Sequence, residues 1–235
     1  MLTDFDGTLS LIVEDPLAAV PVPGAVDALL QLAERYRLVG VVSGRPVAYL
    51  RARLRPAADR LWLSGLYGLE GFDAGRAVEA PGVAPWRDTV AGTVARARSR
   101  FGDLVEDKGL SVTLHVRTAP ERDEEVRAWA GAEAVRTGLA VRPAKASVEL
   151  HPPLPSDKGT VIEAAAAGLA AVCFLGDDLG DLPAFDALDR LGERGVATVK
   201  VAVRTAEAPS AVLDRADVVV DGPEGALALL VSELL

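Results

Sequence analysis

The chain has 235 residues, half of them apolar, and a formal net charge of −9. This composition fits one large or two small globular domains and argues against extensive disorder. The negative charge argues against nucleic acid or an anionic membrane surface as the main partner, although local cations could still bind a small anion. A single cysteine, Cys173, excludes an intramolecular disulfide, and its apolar surroundings favour a buried, unreactive thiol.

The lengths of the apolar segments bear on the location of the protein and on its first strand. Neither an apolar span of bilayer length nor a basic-then-apolar leader is visible, which predicts a cytoplasmic protein without a membrane partner. Only Met1, Leu2 and Thr3 precede the acidic stretch DFDGTL, whereas a strand usually has about five residues. We therefore expect the natural first strand to begin upstream of Met1.

The first eighty residues alternate between predicted strands and helices. Residues 24–36 carry apolar residues at helical spacing, and residues 38–42 (LVGVV) form an apolar run typical of a strand buried on both faces. After the turn SGRP, residues 47–54 are predicted to form a helix. Residues 61–72 (LWLSGLYGLEGF) are predicted to form a strand that ends at the turn DAGR.

The pattern changes after the predicted linker PGVAP at residues 81–85. One amphipathic helix and two strands are predicted, and the same order is then repeated, with Gly138 ending the second helix. The stretch PPLPSDKG at residues 152–159 is typical of a return linker. We interpret residues 82–150 as an inserted α+β domain of the order αββαββ.

The remaining residues return to the alternating pattern. Residues 158–170 predict a helix, and residues 171–176 (AVCFLG) predict a buried strand that ends in DDLGD. Two further strands and a closing helix at 223–235 follow. The sequence therefore predicts an α/β core domain with a mainly parallel sheet, formed by residues 1–80 and 152–235.

Polar residues lie at the predicted strand ends and helix starts of this core domain: Asp4 and Asp6, Ser43, Lys158, and Asp177, Asp178 and Asp181. In open α/β sheets, ligands bind beyond the carboxyl ends of the strands, so these side chains are expected to converge. The set suits phosphoryl transfer. Clustered carboxylates tolerate one another around a divalent cation, and oxygen ligands favour Mg²⁺.

The spacing of Asp4 and Asp6 suits a division of labour, because side chains at i and i+2 share a face in extended chain. One carboxylate could attack phosphorus while the other exchanges protons with the leaving group and with water. Mg²⁺ and Lys158 would neutralise the phosphate. Structural explanations exist for each residue alone, since acids at 177–181 could cap a helix and Ser43 could occupy a turn. The combination of four segments favours the functional interpretation.

These motifs, in this order, resemble the haloacid dehalogenase (HAD) superfamily of phosphatases. DFDGTL (4–9), the serine of VVSGR (41–45), the lysine of DKG (157–159) and GDDLGD (176–181) are similar to its four motifs. The resemblance implies a Rossmannoid three-layer core, and the insert lies where the superfamily has its larger cap. Three further stretches resemble the trehalose-6-phosphate phosphatase family: GLYGLEG (65–71), EDKGLSVTLHVR (106–117) and SVELHP before DKG.

The resemblance implies Mg²⁺-dependent hydrolysis of trehalose 6-phosphate through an aspartyl-phosphate, in trehalose biosynthesis. Asp4 would be the nucleophile, and Asp6 would be the general acid and base. The implied metal residues are Asp4, Asp6 (through its carbonyl), Asp177 and Asp181; the implied phosphate-binding residues are Ser43, Gly44, Arg45 and Lys158; and the implied sugar-binding residues are Glu70, Lys108, His115, Arg117 and Glu149. A trehalose-phosphate synthase is the implied protein partner.

Several of these assignments have alternatives. Arg45 could bind phosphate or pair with an acid. His115 and Arg117 alternate along a predicted strand, a pattern that any half-exposed sheet face produces. A solvated face would equally explain Glu149, and His151 is interpreted as part of the linker.

The chain also departs from the family pattern. Tyr67 stands where the family usually has histidine, and Gly180, Leu182 and Pro183 replace the usual threonine and acidic pair. These departures weaken the substrate assignment more than the reaction class. Two other functions therefore stay open: a phosphatase for sucrose phosphate or mannosyl-phosphoglycerate, and a non-catalytic module that senses a sugar phosphate.

Overall fold

The computed structural model describes residues 1–13, 15–144, 146–206 and 208–232. The chain forms two compact units, Met1–Glu79 with Ser156–Leu235, and Ala80–Pro155. We call them the core unit and the inserted unit. Among the described residues, no helix combines the length and the apolar character that a bilayer span requires.

The two units contain twelve strands in the described residues. They are β1 (Leu2–Thr3), β2 (Gly40–Val42), β3 (Trp62–Gly65), β4 (Glu70–Asp73), β5 (Arg76–Glu79), β6 (Val105–Asp107), β7 (Val112–His115), β8 (Ala140–Ala144), β9 (Ser147–His151), β10 (Ala171–Gly176), β11 (Ala197–Arg204) and β12 (Val218–Asp221).

The described residues also form eight α-helices. They are α1 (Ala25–Arg35), α2 (Val47–Arg53), α3 (Arg87–Phe101), α4 (Asp123–Thr137), α5 (Lys158–Ala165), α6 (Leu182–Glu193), α7 (Ser210–Leu213) and α8 (Gly222–Ser232).

The core unit is built on one eight-stranded sheet in the order β12-β11-β10-β1-β2-β3-β4-β5. The six strands from β12 to β3 are parallel, and β4 and β5 form an antiparallel hairpin at the edge. Strand β1 therefore lies between β10 and β2, so the residues that follow these three strands emerge side by side.

Apolar side chains cover both faces of this sheet. One cluster joins Val41 and Leu63 to helix residues such as Leu29 and Leu50. A second cluster joins Val42 and Phe174 to residues of α5 and α6. Neighbouring strand residues thus point to opposite helix layers, which explains why the predicted strands are continuous apolar runs. The predicted α/β fold with a mainly parallel sheet is confirmed.

The inserted unit is a four-stranded antiparallel sheet in the order β6-β7-β9-β8, with α3 and α4 packed on one face. Val112, Leu114, Val148 and Leu150 point toward the helices and form the apolar core of this unit. The alternate residues of the same strands are mainly polar and point to the other face. The order of elements is αββαββ, as predicted.

Three local predictions are wrong. The predicted strand at 61–72 is interrupted, because Leu66 and Tyr67 adopt φ values of 51° and 56° and turn the chain. Strand β7 ends at His115, so Arg117 lies in the following turn and not on the strand. His151 is the last residue of β9 and is buried, not part of a linker.

Two further predictions concern the ends of the fold. The closing helix reaches Ser232, and the predicted residues 233–235 lie outside the described residues. Cys173 is partly buried in β10, and burial raises the pKa of its thiol to about 11, as expected for an unreactive cysteine.

Candidate active site

Three neighbouring parallel strands of the core unit end in polar residues. Asp4 follows β1, Asp177 follows β10 and Ser43 follows β2. The backbone N–H of Asp4 donates to the carbonyl of Leu175 at 2.8 Å, which continues the pairing of β1 and β10 up to the acids. The strand order therefore brings the predicted residues of separate segments to one edge of the sheet.

An acidic group forms at this edge. Asp4, Asp177 and Asp181 each place a carboxylate oxygen within 4.8 Å of the others, and all three side chains are buried. Their approach depends on Gly7, whose φ is +73° and where a Cβ would lie 2.0 Å from Oδ2 of Asp177. A side chain at Gly7 would therefore displace Asp177.

Lys158 is buried within this acidic group. Its Nζ lies 2.6 Å from Oδ1 of Asp181 and 2.9 Å from Oδ1 of Asp4. The lysine is the first residue of α5, which is capped by Asp157, whose carboxylate accepts the N–H of Thr160 at 2.8 Å. This cap fixes the start of the helix and hence the direction of the ammonium.

Asp181 has a supporting position in the group. Its Oδ2 accepts the backbone N–H groups of Asp177 and Asp178 at 2.9 and 3.1 Å, while Oδ1 accepts from Lys158. Asp178 in turn caps the short turn at Leu179–Asp181, as the alternative explanation of these acids expects. The stretch 177–181 thus contains both a structural cap and site residues.

Burial sets the electrostatics of the group. It raises the pKa of Asp4 well above its usual value, and it raises the pKa of Asp177 to about 9, with the charges of Asp4 and Asp181 adding to the effect. Burial alone would lower the pKa of Lys158, but Asp181 and Asp4 outweigh it and raise that pKa well above the usual value. Lys158 therefore stays charged, but its single positive charge does not balance the charge of three carboxylates.

Asp6 pairs with Arg45 and does not belong to the group of three clustered carboxylates. Arg45 Nε and Nη2 donate to the two carboxylate oxygens of Asp6, both at 2.8 Å. The guanidinium also stacks on the ring of Tyr49, 4.7 Å from its centroid, and that ring meets Phe5 edge-on. Of the two alternatives for Arg45, the structure shows the pairing with an acid.

Ser43 and Gly44, two of the predicted phosphate-binding residues, lie against Tyr67. The N–H of Tyr67 donates to the carbonyl of Ser43 at 3.0 Å. A Cβ on Gly44 would lie 2.7 Å from the Tyr67 ring, so only glycine leaves room for this aromatic side chain. Ser43 itself is buried, and its Oγ accepts the N–H of Arg45 at 3.1 Å.

Glu70 has a structural partner that the sequence does not reveal. Its Oε1 accepts the backbone N–H of Val47 at 2.6 Å, where helix α2 begins. The preceding residue, Pro46, makes no side-chain cap. The carboxylate of Glu70 therefore accepts from a backbone N–H of the first helical turn, which has no partner within the helix.

The polar side of the inserted sheet contains most of the predicted sugar-binding residues. Across the strands, Glu106 pairs with Thr113, Thr113 with Glu149, and Glu149 with Arg142. These four residues form one row across the sheet, which we call the transverse row. Arg142 Nη1 lies 3.4 Å from Oε2 of Glu149.

Two more predicted residues meet the row at Glu106. His115 Nε2 lies 2.8 Å from Glu106 Oε2, and Lys108 Nζ lies 4.0 Å from the same oxygen. Arg117, in contrast, is exposed in the turn after β7. Glu149 is only 4 % exposed, so the alternative of a solvated face is wrong for this residue.

His151 is buried at the end of β9 with its Nδ1 2.8 Å from the carbonyl of Pro152. Burial, together with the charge of Arg142, lowers the pKa of His151. The imidazole therefore favours its neutral form.

The model of the trehalose-phosphatase family matches residues 2–218. The chain belongs to the trehalose-phosphatase family.

Among trehalose-phosphatase relatives, the trehalose-phosphate phosphatase of Mycobacterium ulcerans (strain Agy99) is 36 % identical over 208 residues. The match covers 83 % of this chain and 52 % of the relative. The chain thus spans about half the length of the curated relatives it matches.

Solved structures share the fold. A trehalose-6-phosphate phosphatase related protein superposes with a TM-score of 0.81 at 21 % identity, covering 98 % of this chain and 95 % of that chain. The C-terminal domain of a trehalose-6-phosphate phosphatase from C. albicans gives a TM-score of 0.77 at 22 % identity, covering 97 % and 89 %.

Membership of the trehalose-phosphatase family confirms the resemblance that the motifs indicated. Some neighbours of the predicted site residues, however, could not be predicted from the sequence. Glu106 is part of the quoted motif at 106–117, yet its contact with His115 follows only from the pairing of β6 with β7. Arg142 lies outside the family-like stretches, and Thr113 lies inside residues 106–117 without an assigned role; strand register brings both next to Glu149. Strand alternation gives their face, but not their neighbours.

Proposed function

We propose that this trehalose-phosphatase chain is a Mg²⁺-dependent phosphomonoesterase that hydrolyses trehalose 6-phosphate to trehalose and phosphate. The observation that carries the proposal is the buried group of Asp4, Asp177 and Asp181 around the ammonium of Lys158. Burying several carboxylates is unfavourable unless cations compensate them, so the group is better explained by a ligand than by stability.

The residues fit a magnesium ion. Carboxylate oxygens are its preferred protein ligands, and one buried ammonium compensates only part of the charge of three carboxylates. Asp4 and Asp177 would hold the ion, with the carbonyl of Asp6. Asp181 would support the site, because both its oxygens already accept hydrogen bonds. Bound magnesium would supply positive charge for the phosphate oxygens and for the charge that develops on them.

In the proposed reaction, a carboxylate oxygen of Asp4 attacks phosphorus. A bond between that oxygen and phosphorus forms as the bond from phosphorus to the sugar oxygen breaks. Asp6 gives a proton to the leaving sugar oxygen. Asp6 later takes a proton from the water that hydrolyses the aspartyl-phosphate and restores Asp4.

The remaining core residues would position these groups. Lys158, Ser43 and Gly44 would bind the phosphate oxygens. The guanidinium of Arg45 would add a further positive charge near the phosphate. Because Arg45 holds both oxygens of Asp6, the pairing has to loosen when Asp6 carries a proton.

Substrate choice would lie with the polar residues of the inserted unit. We propose that Lys108, His115, Arg117 and Glu149 recognise the sugar through charge-assisted hydrogen bonds. Glu70 belongs to the core unit, and its role in sugar binding stays a prediction of the family resemblance. In a cell, the reaction would belong to trehalose biosynthesis in the cytoplasm, where a trehalose-phosphate synthase would supply the substrate.

A substrate panel tests the proposal. With Mg²⁺ present, phosphate release from trehalose 6-phosphate should exceed release from sucrose phosphate, mannosyl-phosphoglycerate and glucose 6-phosphate by at least about tenfold in kcat/KM. Equal turnover of all sugar phosphates would contradict the substrate assignment. Binding of trehalose 6-phosphate in calorimetry without phosphate release would support a non-catalytic sensor.

The raised pKa of Asp177 predicts how stability depends on pH in the absence of metal. The pKa is about 9 in the folded chain against 3.8 for the free group, so the folded state binds more protons between these values. Stability should therefore fall as pH rises from about 4 to about 9. Melting curves in EDTA should show this fall, and Asp177→Asn should reduce its slope.

Magnesium should reverse this dependence, because it favours the ionised carboxylates and releases their protons. Addition of Mg²⁺ at pH 8 should raise the melting temperature and acidify a weakly buffered solution. Asp73→Asn, at an exposed acid of the same unit, is the matched control and should follow the wild type. Identical slopes for Asp177→Asn and wild type would contradict the assignment of Asp177.

A further inference from the structure

The polar side of the inserted sheet contains buried polar atoms that the protein itself does not satisfy. Four buried side-chain atoms of the described residues lack a hydrogen-bond partner, and three of them belong to Ser111, Thr113 and Glu149. All three residues lie on or beside β7 and β9. Such atoms are costly when they are buried without a partner, so their concentration in one place points to a ligand.

Thr113 lies at the centre of the transverse row. It is directly opposite Glu106 on one side and Glu149 on the other, and it is only 4 % exposed. Side chains directly opposite each other in antiparallel strands have Cβ atoms about 5 Å apart. Even so, Oγ1 of Thr113 and Oε1 of Glu149 do not satisfy each other.

The partners of Glu149 leave one oxygen available. Arg142 holds Oε2 at 3.4 Å, while Oε1 has no partner among the described residues. Beside it, the threonine hydroxyl can both donate and accept. A carboxylate oxygen next to a hydroxyl suits adjacent hydroxyl groups of a sugar ring.

We propose that Thr113 is a specificity-determining residue that hydrogen-bonds a ring hydroxyl of the sugar. The neighbouring ring hydroxyl would donate its hydrogen bond to Glu149. The inference rests on the proposed function, and it adds a residue to the sugar-binding set of that function. Arg142 acts in the same arrangement as a positioning residue, because it turns the free oxygen of Glu149 toward the sugar.

The test compares Thr113→Val with Thr113→Ser in the full chain. Valine keeps the shape but removes the hydroxyl, so kcat/KM for trehalose 6-phosphate should fall about tenfold, mostly through KM. Serine keeps the hydroxyl and should retain most of the activity. Turnover of p-nitrophenyl phosphate, which has no sugar, should be unchanged in both variants.

Thr93→Val is the matched control, because Thr93 is also buried in the inserted unit but its hydroxyl donates to the carbonyl of Thr89. This variant should leave KM unchanged. The melting temperature of Thr113→Val should not fall, since the lost hydroxyl has no partner in the protein. Equal kcat/KM for Thr113→Val and wild type would overturn the inference.

The wild-type arm distinguishes this failure from failure of the proposed function. A wild type that does not hydrolyse trehalose 6-phosphate refutes the proposed substrate. The variants are then compared on whichever sugar phosphate of the panel is hydrolysed, and equal KM values there also overturn the role of Thr113. A wild type that hydrolyses no sugar phosphate overturns both.

Discussion

Replacing Asp4 with asparagine should lower phosphate release from trehalose 6-phosphate by at least about a thousandfold. Asparagine has nearly the same shape but lacks the nucleophilic carboxylate. Because Asp4 is a buried acid whose pKa is raised, loss of its charge should also leave the metal-free fold equally stable or more stable. Steady-state phosphate release and melting curves measure the two effects.

Two comparisons make this result specific. Asp4→Ala excludes slow reversion of asparagine to aspartate, and it should be equally inactive. Asp73→Asn, an exposed acid of the core unit, should keep wild-type activity. Retention of turnover in a folded Asp4 variant would remove Asp4 as the nucleophile and leave the acidic group without its proposed reaction.

Replacing Lys158 with methionine should affect both stability and turnover. The ammonium is 3 % exposed and contacts Asp4 and Asp181, so its removal leaves buried carboxylates without their cation. Breaking such a buried pair typically costs about 3–5 kcal/mol, which corresponds to a fall of roughly 10 °C in melting temperature for a chain of this size. Turnover should fall because the phosphate loses a cationic partner.

Lys200→Met is the matched control for this variant. Lys200 also belongs to the core unit and pairs with Asp189 at 2.6 Å, but Asp189 is 43 % exposed. Because Lys200 is 14 % exposed, this pair is partly exposed, and it should contribute about 1 kcal/mol, so the control should melt closer to the wild type than Lys158→Met. The double variant Lys158→Met with Asp181→Asn should recover part of the lost stability, because it removes one unpaired acid. Equal melting temperatures for Lys158→Met and Lys200→Met would contradict the buried charge network.

The convergence of Asp4, Ser43, Lys158 and Asp177 could be predicted because it follows from rules of the fold. Apolar runs such as LVGVV predict strands buried on both faces, and ligands bind where parallel strands end. Residues at these ends are therefore close in space whatever their distance in sequence. The lysine at the start of α5 follows from the same rule, since helix starts and strand ends share that edge.

The partners of individual side chains could not be predicted in this way. Arg45 could reach either a phosphate or an acid, and only the positions of Asp6 and Tyr49 favour the ion pair. Glu70 caps α2 because β4 passes the start of that helix, a tertiary neighbour that no local pattern encodes. Such choices depend on differences of a few ångströms between segments that are distant in sequence.

The backbone turn within the predicted strand at residues 61–72 could not be predicted from the sequence either. Leu66 and Tyr67 both adopt positive φ values, although neither residue favours them. A pattern rich in apolar and glycine residues predicts continuous strand there. The turn instead places the Tyr67 ring against Gly44, and that contact depends on tertiary packing.

The inserted sheet has one side that packs and one side that is polar, and this arrangement has an evolutionary consequence. Val112, Leu114, Val148 and Leu150 hold the unit together, while Thr113 and Glu149 alternate with them on the same strands. Substitutions at the polar positions leave the packed positions intact, so under the proposed roles the preferred sugar can change while the fold is kept. If the proposed roles hold, such a sheet can evolve to accept other phosphorylated sugars while the proposed reaction at Asp4 stays the same.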